Sequence, residues 1–340
     1  MTVRSDLLKV GAGGLPLTRQ RESLWADAFR RLLRNRAAVI GGAVVILLAL
    51  MAIFAPVLAP RGFQEQVLVD NNVVPAWLVR VFPFMEPYGR ISDNYAFGAD
   101  YVGRDLLSRV IYGARVSLAV ALVAPLISLV IGTIYGVTSG FFGGRTDSLM
   151  MRVVDVLYAF PSLLFIILLM AFFRGTYADP DPGSITYALS ELDRRSGGML
   201  FIFVGIGITA WETMARLTRG QVLSLREKEF VEAARTVGAG NRRIMFRHIL
   251  PNIIGVLVVY ETLAIPAYVA TEAFLSFIGL GVNPPTPSWG IMIADGADAI
   301  RTYPNQVLLP AIMLAITMFA FNFLGDGLRD ALDPRLRGTQ

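Results

Sequence analysis

Six segments of this chain are long and apolar enough to cross a bilayer, and they constrain its fold more than any other feature. Crossing roughly 30 Å of hydrocarbon at about 1.5 Å per residue takes about 20 mostly apolar residues. The segments that qualify are 37–59, 116–142, 156–173, 199–215, 253–280 and 307–324. No water reaches the hydrocarbon, so backbone groups there must be satisfied within helices. The sequence therefore predicts an all-α integral membrane protein with six transmembrane helices. The first segment follows a polar leader of about 36 residues, too long for a cleavable signal, and is expected to remain as an anchor.

Composition agrees and removes several chemistries. Hydrophobic residues make up 54% and charged residues 17% of the 340, and mean hydropathy is +0.56. There is no cysteine and one histidine, His248, which argues against thiolate metal sites, zinc clusters and His-based triads. The two lysines, Lys9 and Lys228, follow Leu8 and Glu227, so neither completes the Gly-Lys-Ser/Thr of a phosphate-binding loop. No resident cofactor or metal is expected.

Lysine and arginine concentrate in cytoplasmic loops of membrane proteins. With the N-terminus inside, 21 of the 31 basic residues fall on the cytoplasmic side, whereas the outer side holds 10 against 12 acidic residues. Both termini are therefore expected in the cytoplasm, as segments 1–36 and 326–340. The outer side should carry 60–115, ending in a short interfacial helix over 103–109, and a turn-rich loop, 174–198. Asp179-Pro180-Asp181-Pro182-Gly183 in that loop lacks the ligand spacing of a calcium loop.

Within the spans, Gly132, Gly136 and Gly140 recur every fourth residue and read as a helix-packing stripe. Pro125 and Pro161 sit within or near the starts of spans, where a kink is tolerated if neighbours satisfy the freed carbonyls. Glu261 and Glu272 are costly in hydrocarbon and, eleven residues apart, share a helix face with Tyr268. That face suggests a translocation path; the alternative is that Glu272 is hydrated near the outer interface. Glu212 with Arg216, and Asp155 with Arg152, are spaced for interfacial ion pairs one turn apart.

The connector 220–252 alternates apolar and charged residues at helical spacing, where a plain loop would be polar and irregular. Phe230, Ala233, Ala234 and Val237 form one side. Gly238 and Gly240 break the run, Asn241 is placed to cap a second helix, and that helix meets Pro251 at the mouth of the fifth span. A short amphipathic helix tethered at both ends suits docking into a groove of a soluble partner. A solvated connector is the alternative, and tethering argues against a DNA-binding helix-turn-helix.

These residues resemble a known family. Glu232-Ala233-Ala234, then Gly238 and Leu250-Pro251, matches the EAA signature of ABC importer permeases, and His248-Ile249-Leu250-Pro251-Asn252 is similar to its peptide-transporter form. Phe97-Gly98-Ala99-Asp100, Gly103-Arg104-Asp105, Tyr112 to Leu118, Glu272 to Gly281, Pro284 to Gly290 and Gly325 to Pro334 resemble the C-type permeases of dipeptide and oligopeptide importers. Ser23 to Ala28 and Asn35 to Val39 look most like the oligopeptide branch. The 174–198 loop is longer than that pattern.

The resemblance implies a type I ABC importer permease fold with its core over 116–325, in the bacterial inner membrane. It implies a non-catalytic subunit surrounded by lipid and partnered by a homologous B-type permease, two ATPases of D- and F-type that carry the ATP and magnesium, an extracytoplasmic peptide-binding protein and a peptide substrate, with no nucleic acid. The coupling helix carries over to residues 226–238. Glu232 would pair with a basic ATPase residue, Ala233 and Ala234 would pack in the ATPase groove, and Gly238 would permit a bend that a side chain obstructs. The EAA-loop set is thus Glu232, Ala233, Ala234, Gly238, His248, Leu250 and Pro251; the path set is Glu261, Tyr268 and Glu272. Solutes carried by close relatives include dipeptides, nickel and glutathione. Two other readings stand beside it: a proton-coupled secondary transporter using Glu261 and Glu272, and a membrane-anchored receptor or scaffold.

Overall fold

A computed structural model describes residues 24–176, 181 and 183–332. Among these, five helices are long and apolar enough to cross a membrane, and one sharply bent pair passes with them, for up to six spans. No strand forms among the described residues; two isolated bridges, Val74 with Ile91 and Ala99 with Asp105, are the only β pairing.

Helix α1 (Leu24–Arg34) leads into α2 (Arg36–Ile53), whose first turn is capped by the Asn35 side chain accepting from the Ala38 N–H at 3.2 Å. Pro56 has no N–H to give the Ala52 carbonyl, so α2 ends and a single turn, α3 (Ala55–Leu58), follows. Arg115 from a neighbouring helix fills the vacancy, donating to the carbonyls of Ala52 (2.6 Å) and Ile53 (3.2 Å). Residues 60–105 fold outside the spans around α4 (Ala76–Val81) and two small clusters, Val73–Tyr95–Ala99 and Val74–Leu78–Met85.

The second span differs from expectation. There is no separate helix over 103–109: α5 runs unbroken over Leu106–Phe142, about 55 Å long. Asp105 caps it, accepting from the Ser108 N–H at 2.8 Å. Arg109 is buried without breaking the helix because Asp295 (3.3 Å) and Asp100 (3.7 Å) face it. The polar residues of this turn are satisfied by protein instead of by an interface.

The third span is not a straight 156–173 helix. Helices α6 (Gly144–Ala159) and α7 (Ser162–Thr176) meet at 81°. Pro161 drives Phe160 into extended backbone (φ −86°, ψ 133°), which closes α6. Beyond it the 174–198 segment contains a helix, α8 (Ile185–Arg195), capped by Ser184; Asp179, Pro180 and Pro182 lie outside the described residues. Helix α9 (Leu200–Leu225) continues ten residues past the expected end of the fourth span. The amphipathic connector gives α10 (Glu229–Thr236), and α11 (Asn241–Phe277) is a single helix through the fifth span. Gly240, with extended backbone, is the N-cap of α11, and Asn241 is its first residue, not its cap. Two more helices follow among the described residues, α12 (Trp289–Ala297) and α13 (Asn305–Leu332).

The expected ion pairs exchange partners. Arg216 bonds Asp155 at 2.8 Å and lies 4.1 Å from the centroid of the Tyr158 ring; no ion pair joins Glu212 to Arg216 or Asp155 to Arg152 among the described residues. Residues 61 apart meet because α6 and α9 run side by side, a proximity that one-turn spacing cannot report.

Candidate functional site

Helix α10 is held at both ends and along one side. Val231 is fully buried and Ala234 is 7% exposed; they join Ile244, Met245, Ile249 and Ile253 of α11, Val137 and Phe141 of α5, and Met214 and Val222 of α9 in one core. Ala234 is therefore turned into this chain and cannot also pack in a partner's groove. Phe230, Glu232, Ala233 and Val237 are exposed, Val237 at 83%. The Glu232 carboxylate has no ion-pair partner among the described residues. An outward face of apolar residues around the free Glu232 carboxylate is what the helix leaves for something else.

Gly238 closes α10 in the left-handed region, φ +80°, with its N–H on the Arg235 carbonyl (2.9 Å) and the Ala239 N–H on the Ala234 carbonyl (3.0 Å). This is a glycine C-cap. A Cβ built at 238 meets nothing within 4 Å, so the bend requires glycine for its backbone angle and not for space.

His248 lies in a π-helical stretch, Ile244–Ile249, at the start of α11, with Leu250 and Pro251 after it. Pro251 supplies no N–H to the preceding turn, and the wider π turn fits a helix that must absorb that loss. The His248 backbone carbonyl accepts from Asn252 Nδ2 at 2.6 Å.

Polar anchors surround this end. Asp147 of α6 accepts both Nε and Nη2 of Arg219 (2.5 and 2.6 Å) and the Ser139 hydroxyl (2.5 Å), a bidentate pair of the strong kind. Arg226 donates to the Gly140 carbonyl at 3.0 Å, and Arg235 lies 5.9 Å from the Phe141 ring centroid. Sequence reasoning missed these anchors; Asp147 and Arg219 are 72 residues apart and carry no local pattern. The glycine stripe sits on the same frame. A Cβ at Gly132 would stand 2.6 Å from Met214 Cβ, at Gly136 2.4 Å from the Ala215 carbonyl oxygen, and at Gly140 2.9 Å from the Arg219 carbonyl oxygen, so the stripe lets α5 and α9 approach backbone to backbone.

Deeper in the membrane, Glu261 and Glu272 are both buried. Glu261 accepts from Ser128 Oγ (2.5 Å) and from the Tyr268 hydroxyl (3.1 Å); Glu272 accepts from Ser276 Oγ (2.7 Å) and Ser117 Oγ (3.4 Å). Glu272 has no exposed surface and Glu261 is 3% exposed, so neither stands at an outer interface. Tyr268, with Tyr260, Thr209 and Thr271, lines a cleft of about 270 Å³ between α7, α9 and α11. A second, apolar cleft of about 500 Å³ lies between α6, α7 and α9, with Glu212 at its edge. No cluster that could hold a metal ion occurs among the described residues.

Comparisons with known proteins bear on this arrangement. Residues 108–338 match the model of the binding-protein-dependent transport system inner membrane component family, and residues 23–75 match the N-terminal transmembrane domain of oligopeptide transport permease C. The oligopeptide transport system permease protein OppC of Bacillus subtilis is 40% identical over 321 residues, 94% of this chain and 93% of that protein. Its namesake in Escherichia coli K12 is 44% identical over 316 residues, 93% and 92% of the two chains. A solved structure of the MetNI methionine ABC transporter in an inward-facing conformation aligns with TM-score 0.52 at 18% identity, over 67% of this chain and 98% of that one. The fold is that of an ABC transporter permease.

Proposed function

The chain belongs to the family of binding-protein-dependent transport system inner membrane components, and from that premise we propose that it is one of two homologous permeases in an ATP-driven oligopeptide importer. It is a multi-pass inner-membrane permease component of an ABC importer, which sets aside the self-sufficient proton-coupled reading of Glu261 and Glu272. The oligopeptide assignment draws support from the OppC relatives and from the match of residues 23–75. The partners are a B-type permease, D- and F-type ATPases that bind ATP and magnesium, and an extracytoplasmic peptide-binding protein. Both termini and α10 face the cytoplasm.

The observation that carries the coupling assignment is the two-sided burial of α10. Val231 and Ala234 lock it to α5, α9 and α11, while Phe230, Ala233, Val237 and the unpaired Glu232 face outward. An ATPase groove lined by apolar residues with a basic group beside Glu232 complements that face. Force applied there reaches α11 through Ile244, Met245 and Ile249 without crossing a flexible loop. The solute passes between this chain and the second permease as the pair alternates access.

Glu232→Arg tests this. Complexes purified through a tag on the second permease should retain this chain and lose both ATPases, and peptide uptake into proteoliposomes should fall to background. Full retention of the ATPases with normal uptake overturns the coupling assignment.

A further inference from the structure

The cleft between α7, α9 and α11 is lined, among its polar residues, by hydroxyls alone: Ser162, Thr209, Thr213, Tyr260, Tyr268 and Thr271, with no charged side chain among the described residues. A hydroxyl has one proton to donate and two lone pairs that accept. Three of these six, grouped about Tyr268, have already spent the proton inside the chain, whereas Tyr260 and Thr213 bond each other and keep one proton between them. Tyr268 donates to Glu261 Oε2 at 3.1 Å, Thr271 to the Ala267 carbonyl at 2.8 Å, and Thr209 to the carbonyls of Ile206 (3.0 Å) and Gly205 (3.3 Å). Tyr268 and Thr271 are one turn apart on α11, and Thr209 comes from α9, so the committed hydroxyls lie on two walls of the cleft.

What remains on these three groups is acceptor capacity. Glu261, itself buried and fixed by Ser128 at 2.5 Å, holds the Tyr268 proton away from the cleft and makes the phenolic oxygen a better acceptor. A carboxylate entering beside these residues would lose hydration and find no donor on them, whereas an ammonium or amide N–H would find oxygens on both walls. We propose that the part of this cleft walled by Tyr268, Thr271 and Thr209 is an acceptor site that holds the α-ammonium end of a peptide in transit and not its carboxylate end; this rests on the peptide-permease reading. Glu261 is then a positioning residue that acts through Tyr268.

The test is equilibrium binding of trialanine, N-acetyltrialanine and trialanine amide to the purified permease–ATPase complex in nanodiscs, without ATP or binding protein. Trialanine and its amide should bind alike, and acetylation should weaken binding about tenfold, the worth of one charge-assisted hydrogen bond. Tyr268→Phe and Thr271→Val should each shrink that discrimination. Thr271→Val keeps the test decisive if Tyr268→Phe does not assemble, because the Thr271 hydroxyl bonds only its own helix. Amidation weakening binding as much as acetylation, discrimination unchanged in the assembled variants, or no saturable binding to the wild type each overturns the proposal. ATP-driven trialanine uptake by the wild type with its binding protein is read separately. Uptake without N–H discrimination overturns the acceptor site alone; discrimination without uptake overturns the importer reading alone.

Discussion

Replacing Gly238 separates two reasons for a glycine at the end of α10, and they predict different orders of damage. If a side chain obstructed the bend, the effect would grow with volume, from Ala through Asn to Val. A Cβ at 238 meets nothing within 4 Å, however, and the residue sits at φ +80°. The cost is then that of a left-handed backbone, roughly 1 to 2 kcal/mol for an ordinary L-residue, less for Asn and more for β-branched Val. A loss of 1 to 2 kcal/mol changes the open population of the cap about 5- to 30-fold. The Ala239 N–H, bonded to the Ala234 carbonyl at 3.0 Å, reports that population directly through hydrogen exchange in nanodiscs. Gly238→Ala should speed its exchange by about fivefold or more, Gly238→Asn by less than Ala, and Gly238→Val by the most. Peptide uptake should fall in the same order. Asn exchanging faster than Ala would refute the backbone reasoning and restore obstruction.

Three further outcomes follow from the same frame. Gly136→Ala puts a Cβ 2.4 Å from the Ala215 carbonyl oxygen and 2.6 Å from Thr218 Cβ, and should cost roughly 1 to 3 kcal/mol by overpacking, seen as a lower unfolding temperature in detergent. Ala234→Leu should lower that temperature similarly, because Ala234 is buried against Val231 and α11, whereas Ala233→Leu should leave it unchanged and weaken ATPase association. Asp147→Asn removes the bidentate partner of Arg219 and should destabilise on the order of 1 to 2 kcal/mol, Arg219 being about one-third exposed, measured by the same melt.

How much was legible depended on whether a signal is local. The spans were, because their cause is the bilayer's demand for long apolar runs. The start of α5 was not: Arg109 and Arg115 look like residues of an aqueous loop until Asp100 and Asp295 are placed beside one and the open carbonyls at the end of α2 beside the other. The amphipathy of α10 was legible but its inward face was not, since the helix is apolar on two sides and only the tertiary core selects Val231 and Ala234. The sites of Glu261 and Glu272 had an unused signal. Ser128 and Ser117 are also eleven residues apart, and antiparallel α5 matches each serine to one glutamate. Two equal spacings on neighbouring apolar segments mark a polar register between helices.

That register limits how the helices can move. Sliding or turning α11 against α5 by one residue would strip Ser128 from Glu261 and Ser117 from Glu272, leaving two carboxylates in a low-dielectric interior without those donors, each a cost of several kcal/mol unless protonated. Backbone-close packing at Gly132, Gly136 and Gly140 fixes α9 to α5 in the same way, by steric contact instead of charge. Helices α5, α9 and α11 with α10 on their shared core therefore form one stiff body. The 81° break at Phe160–Pro161 lies outside it, on α6 and α7. Because α10 belongs to the stiff body, a displacement imposed on its outward face carries the buried Glu261, and with it the Tyr268 oxygen, along with Phe230. The polar groups that look most like a transport mechanism in the sequence are thus, in the fold, what makes the body rigid enough to transmit one.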